Sequence, residues 1–227
     1  MKNKKEKNYA RKYAKDYNFL TTLYQKYAVF LYRLIFNFFY RFKFEGQKNI
    51  KKNSRYIVAA NHISYFDPLL LSNITGINIA YMAKKELFES SKWFARRLSW
   101  LGAFAVNREN PEVSTIKTVL DVSKAKWNLG IFPQGGIRRD KTIKDINKGF
   151  IVFAKMLKLN ILPVGITGCE EYNWKLFQGK ISVKIGEEIP FDLPEEEILR
   201  RWANSIEELT GYSNELKDEK NIKKCLT

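Results

Sequence analysis

Residues 55–75 read RYIVAANHISYFDPLLLSNIT, and the fold is decided by how this stretch is parsed. Tyr56 to Ala60 form a short apolar run of strand length. A polar segment follows, and a second apolar run begins behind Pro68, a residue suited to the first position of a helix. Strand, polar loop and helix in that order make the opening unit of an α/β domain. The loop carries His62, the only histidine of the 227-residue chain, five positions before Asp67.

Outward from this unit the alternation continues. INIAYMA (77–83) reads as a strand and ELFESSKWFARRLSWLG (86–102) as one helix. AFAVNR (103–108) is extended, PEVSTIKTVLDVSKAKW (111–127) helical, and NLGIFPQGG (128–136) a strand ending in glycines. KGFIVFAKMLKL (148–159) is a helix, while NILPVGIT (160–167) and KISVKIGEEI (180–189) are strands. PEEEILRRWANSIEELTG (194–211) closes as a helix with acids in its first turn. The pattern predicts an α/β fold with a mixed, largely parallel sheet covered by helices on both faces. Ligand chemistry in such sheets gathers in loops beyond the carboxyl ends of the strands. Here those loops are NHISYFD, VNREN and PQGGIRRD.

Composition supports a packed core, with 45% apolar, 15% aromatic and 28% charged residues. A chain of this length buries roughly 70% of the surface its unfolded state exposes. Cys169 and Cys225 lie far apart with no paired spacing, so no disulfide framework is expected. With a single histidine and no cluster at ligand spacing, neither a metal nor a redox cofactor is expected.

The net charge of +16 is concentrated at the amino terminus, where residues 1–55 carry 15 basic and 3 acidic side chains. Residues 19–42, FLTTLYQKYAVFLYRLIFNFFYRF, are interrupted by Lys26, Arg33 and Arg41, so they do not form a spanning helix. At ~100° per residue these three cations share one edge, with Leu20, Tyr24, Leu31, Ile35, Phe38 and Phe42 grouped ~120° to ~180° from Lys26. Such a helix suits the headgroup region of an anionic membrane, or alternatively the protein's own core. Residues 1–17 carry no cleavable signal pattern, which places the expected location at the cytoplasmic face of the cell membrane. The chain therefore divides into a basic tail and interfacial helix (1–44) and an α/β domain (45–227). A nucleic-acid partner is not expected, because the cations are interleaved with apolar residues and none of the common nucleic-acid motifs occurs.

On a straight helix His62 and Asp67 would stand ~140° apart, so a turn must bring them together. Pro68 supplies a reason for one, with Asp67 as the N-cap of the following helix. An imidazole held by a carboxylate has a fixed tautomer, and its other nitrogen is free to take a proton from a hydroxyl. No elbow of G-x-S-x-G form surrounds Ser64, so the hydroxyl is expected to come from the substrate.

Taken in order, NHISYFD, GAFAVNR, FPQGGIR and ILPVGI resemble the four sequence blocks of the glycerolipid acyltransferases, whose best-known members acylate 1-acyl-sn-glycerol-3-phosphate. The resemblance covers about residues 45–190. It implies transfer of a fatty acyl group from acyl-CoA or acyl carrier protein, as co-substrate, to the hydroxyl of a lysolipid at a membrane surface. In that case His62 is the general base, Asp67 orients it, and Asn61 belongs to the same block. Arg108 matches the family's phosphate-contacting arginine, and Lys84, in AKKELF, looks like the lysine that follows the second strand.

The third block departs from the family's Phe-Pro-Glu-Gly-Thr-Arg. Gln134 replaces the acid, Gly135 and Gly136 follow it, and Arg138 arrives one residue late. These four residues are expected at the acceptor, with Arg138 on its phosphate. The departure leaves open other acceptors, such as a lyso-aminolipid, a glycolipid or glycerol-3-phosphate, or a membrane-binding protein without activity.

Overall fold

The computed structural model describes residues 12–40, 42–75, 77–106, 113–169 and 180–226. The strands are β1 (Lys43–Glu45), β2 (Ile57–Ala60), β3 (Ile79–Lys84), β4 (Phe104–Val106), β5 (Asn128–Ile131), β6 (Thr142–Ile143), β7 (Ile161–Thr167), β8 (Ser182–Ile185) and β9 (Ser213–Asn214). Seven of them make one sheet in the order β1-β8-β7-β2-β5-β3-β4, and β6 pairs with β9 apart from it. Every pair in the large sheet is parallel except β7 with β8. The mixed, largely parallel α/β architecture expected from the alternation is therefore present.

β2 sits near the middle, and Ile57, Val58, Ala59 and Ala60 are all fully buried. A central parallel strand is covered on both faces, which is why these four residues are apolar without alternation. The helices are α1 (Phe19–Phe39), α2 (Asp67–Thr75), α3 (Lys85–Glu89), α4 (Lys92–Trp100), α5 (Val113–Lys124), α6 (Gly149–Leu157), α7 (Glu195–Thr210) and α8 (Glu219–Leu226). In α7 the first turn holds Glu195, Glu196 and Glu197, and Gly211 ends the helix in the left-handed region at φ 74°. Its stripe of Ile198, Trp202 and Ile206 is buried, each side chain contributing about 1.5–3 kcal/mol. Trp202 also donates from Nε1 to the Ala59 carbonyl at 3.1 Å, tying α7 to the strand that leads into the histidine loop.

One local expectation changes. The single helix read over 86–102 is broken into α3 and α4, with Ser91 extended at φ −160° and ψ 134°. The Ser90 hydroxyl donates to the Leu87 carbonyl at 3.0 Å, a local bond that competes with helix continuation. Phe88 of α3 and Ala95 of α4 are both buried. The division after residue 44 falls inside β1, whose residues pair in register with Ser182, Val183 and Lys184 of β8.

α1 is pinned to the sheet mainly by Gln25, with Thr22 also accepting from Asn78 at 3.5 Å. Buried Gln25 donates from Nε2 to the carbonyls of Ile79 (2.8 Å) and Leu101 (2.7 Å) and accepts from the Ile79 amide at 3.2 Å. Thr21 is buried on the same side, while Phe19, Leu20, Leu23, Tyr27, Phe30 and Phe38 are exposed. The helix thus turns a polar strip inward and an apolar surface outward. Among the described residues no helix is long and apolar enough to cross a membrane. Replacing Gln25 with Leu orphans three buried backbone groups, at about 1–3 kcal/mol each. A thermal-unfolding midpoint lowered by several degrees is the expected result, and an unchanged midpoint would show that α1 is held by something else.

Candidate active site

β2 and β5 are adjacent and parallel, with Ala59 opposite Ile131, so the loops that follow them emerge side by side. The first carries His62, and the second begins at Phe132. Their rings stack with centroids 4.2 Å apart and planes 20° from parallel. The loops are also joined through the backbone, since the Arg138 amide donates to the His62 carbonyl at 2.7 Å.

Asp67 is fully buried, and its Oδ2 lies 2.7 Å from His62 Nδ1. The same oxygen accepts from the amides of Ile63 at 2.6 Å and Ser64 at 2.8 Å. One carboxylate oxygen therefore fixes both the imidazole and the turn that carries it. The expected turn is present, but the N-cap assigned to Asp67 is corrected. α2 already includes Asp67, the amides of Leu69 and Leu70 both go to the Phe66 carbonyl, and the carboxylate faces backward. Three donors converging from residues 62–64 hold it more strongly than the helix amides would. Burial raises the Asp67 carboxyl above the usual carboxylate range, opposed by the bond to His62 and then by the amides of Ser64 and Ile63. Its Oδ1 is buried without a hydrogen-bond partner, so the bonding of this acid is concentrated on the oxygen that faces His62. With Nδ1–H donated to Asp67, His62 Nε2 is left with its lone pair.

His62 opens on a cavity of about 460 Å³. Its walls include Phe132, Gly136 and Ile137 from the β5 loop, Phe66 and Leu69 around α2, Met82 and Lys84 of β3, Phe94 and Leu98 of α4, and Gln25, Val29 and Tyr32 of α1. The lining is mostly hydrocarbon and aromatic, with few polar groups, as in sites that hold an apolar ligand and fix one reactive end. Ser72 and Tyr81 also line it and satisfy each other at 2.8 Å; burial pushes the Tyr81 phenol far above its ordinary range. Space for the Tyr81 ring depends on Gly130 of β5, where an added Cβ would lie 2.6 Å from a ring carbon.

The remaining expected residues divide. Lys84 reaches the cavity wall and is exposed, and Gly136 lines it. Gly135 adopts φ +70° in an open turn, where an added Cβ would meet nothing within 4 Å. Asn61, of the same block as the histidine, is bonded to the backbone of β7. Its side chain is buried and used up on Ile166, donating to the carbonyl at 2.8 Å and accepting from the amide at 2.7 Å. It locks the end of β2 to β7.

Gln134 likewise engages backbone groups. It is buried, donates to the Thr142 carbonyl at 2.9 Å, and turns its oxygen toward the His62 amide at 3.5 Å. A neutral amide can bridge backbone groups in both directions, which an acid cannot do. Arg138 directs its guanidinium to Asp145 at 3.2 Å and is not part of the cavity wall. Arg108 lies outside the described residues. Phe132, Tyr81 and Gln25 had not been singled out; only Gln25 carried a signal, as a neutral polar residue within an otherwise apolar stretch.

Residues 41–167 match the family model described as Acyltransferase. Among curated proteins, the chain is 34% identical over 148 residues to the 1-acyl-sn-glycerol-3-phosphate acyltransferase of Bacillus subtilis, covering 64% of this chain and 72% of that one. It is 30% identical over 181 residues to the protein of the same name from Streptococcus pneumoniae, covering 76% and 66%. The fold is similar to the crystal structure of the 1-acyl-sn-glycerophosphate acyltransferase PlsC from Thermotoga maritima, with a TM-score of 0.61, 22% identity, and coverage of 83% of this chain and 79% of that one. With the family model spanning more than half of the chain, and the motif histidine and aspartate joined at the mouth of an apolar cavity, this protein belongs to the acyltransferase family and is an acyltransferase.

Proposed function

We propose that the protein transfers a fatty acyl group from an acyl-CoA or acyl carrier protein thioester to the hydroxyl of 1-acyl-sn-glycerol-3-phosphate at an anionic membrane surface, giving phosphatidic acid. The observation that carries this reading is the imidazole of His62, held by buried Asp67 and opening on a mostly apolar cavity that is also lined by α1. His62 Nε2 takes the acceptor's hydroxyl proton while the oxygen attacks the thioester carbonyl carbon. The carbon–sulfur bond then breaks, and the leaving thiolate recovers the proton from the imidazolium. Asp67 offsets the positive charge that His62 carries between the two transfers. Gly136 lines the cavity without a side chain, so the backbone of the β5 loop can approach the reacting carbonyl there, where an amide suits a developing oxyanion. The apolar walls suit an acyl chain, and the outward apolar surface of α1 suits the headgroup boundary from which lipids enter.

Lys84 is the cation that the described cavity wall offers to the acceptor's phosphate. Lys84→Met is expected to raise KM for 1-acyl-sn-glycerol-3-phosphate about tenfold or more with little change in kcat, the pattern for loss of a charged contact made equally in ground and transition states. An acceptor lacking phosphate should not respond. One observation favours a second reading with a different hydroxyl or amine acceptor, namely the engagement of Arg138 by Asp145 and of Gln134 by Thr142. Purified protein, a labelled acyl donor and a panel of lysolipids and glycerol-3-phosphate decide between them. Turnover only of acceptors without phosphate would overturn the first reading.

A further inference from the structure

On α4, five side chains are placed on one side of the helix at ~100° per residue: Lys92, Arg96, Trp100, Trp93 and Arg97 span ~140°. All five are exposed, and no acid is among them. Trp93 is 62% exposed and Trp100 42%, although indole rings are among the largest apolar groups a protein can bury. By contrast, Trp127 and Trp202 are 3% and 0% exposed. The Arg97 guanidinium lies 3.7 Å above the Trp93 ring, so cation and ring form one unit. The opposite side of α4 supplies Phe94 and Leu98 to the active-site cavity. Trp100 also meets Tyr24 of α1 edge-on at 5.3 Å, which makes the exposed sides of the two helices neighbours.

We infer that α4 is a second membrane contact, laying its tryptophans at the headgroup level and its three cations on lipid phosphates. The inference rests on the membrane-surface reading of α1 given above. Indoles partition to that level because one edge is apolar and the N–H is wet, and each cation there attracts anionic lipid. With α1 and α4 both seated, the cavity they wall on their inner sides is held against the bilayer, and an acyl chain passes between lipid and site without crossing water. Lys92, Trp93, Arg96, Arg97 and Trp100 do not line the cavity, so they act on delivery of substrate and not on its chemistry.

The test uses the full chain with Trp174 replaced by Phe, and vesicles of equal phosphatidylglycerol and phosphatidylcholine carrying brominated acyl chains. Bromine is expected to quench the indole emission, and the Trp93→Phe/Trp100→Phe variant should lose most of that quenching. Changing Lys92, Arg96 and Arg97 to Gln should weaken partition about fivefold for each cation, on the order of a hundredfold together, with no difference on pure phosphatidylcholine. Transfer to a short-chain acceptor in free solution should be unaffected in both variants. If the intact chain binds vesicles while neither variant changes quenching or partition, α1 alone makes the contact and this inference is overturned. If the intact chain binds no vesicles, the membrane-surface reading itself fails, and this inference with it. If the triple Gln variant keeps its partition but loses transfer from an acyl carrier protein thioester, the surface belongs to an acidic protein and the inference is again overturned.

Discussion

His62→Ala is expected to lower kcat by about 10² to 10⁴, the contribution general bases make elsewhere, while the fold is retained. The imidazole is 13% exposed and is held by a carboxylate and by stacking on Phe132. Its loss leaves Asp67 still bonded to the amides of Ile63 and Ser64, so the loop keeps its shape. Single-turnover transfer from a labelled donor measures the effect, and far-UV circular dichroism checks the fold. A variant with ordinary turnover would show that no base is needed at this position, and the proposed mechanism would be abandoned.

Asp67→Asn tests the other half of the pair and is expected to act on both rate and stability. Its oxygen can replace Oδ2 as the acceptor for His62, Ile63 and Ser64. Its amino group then occupies the place of Oδ1, which is buried and has no hydrogen-bond partner. Two amide protons are left unsatisfied there, at about 1–3 kcal/mol. The negative charge that offsets the imidazolium is also gone, and kcat should fall by about 10² to 10⁴. Because Asp67 does not line the cavity, KM for the acceptor should hold. A rise in KM with kcat intact would instead assign Asp67 to acceptor binding.

Both results depend on a unit that is unusually easy to read from residues alone. Five residues of separation would leave His62 and Asp67 ~140° apart on a straight helix, so a turn between them was legible, although the restriction before Pro68 did not keep Asp67 out of α2. Which groups the carboxylate would satisfy was not legible, because amides at residues 63 and 64 and amides at the start of α2 are equally near in sequence. Asn61 and Gln134 show the same limit. A polar side chain in a motif block looks like a ligand contact until its backbone partners, Ile166 and Thr142, are brought beside it by strand pairing and by a loop. The break between α3 and α4 lies at Ser90 and Ser91, where a side-chain bond to the Leu87 carbonyl competes with the helix, an outcome that apolar periodicity does not reveal.

The amino-acid order by itself determined the alternating α/β architecture, the turn that joins His62 to Asp67, and the loops where chemistry collects. Each of these follows from local rules, namely strand and helix periodicity, the angular separation of residues five apart and the direction of parallel strands. Only the tertiary structure decided which side of α1 turns inward, that Arg138 lies on Asp145, and that the histidine and the amino-terminal helix share one cavity. Those outcomes depend on contacts between segments distant in the chain. There Gln25 satisfies backbone groups of Ile79 and Leu101 that lie 54 and 76 residues away, and leaving such groups unpaired is costly.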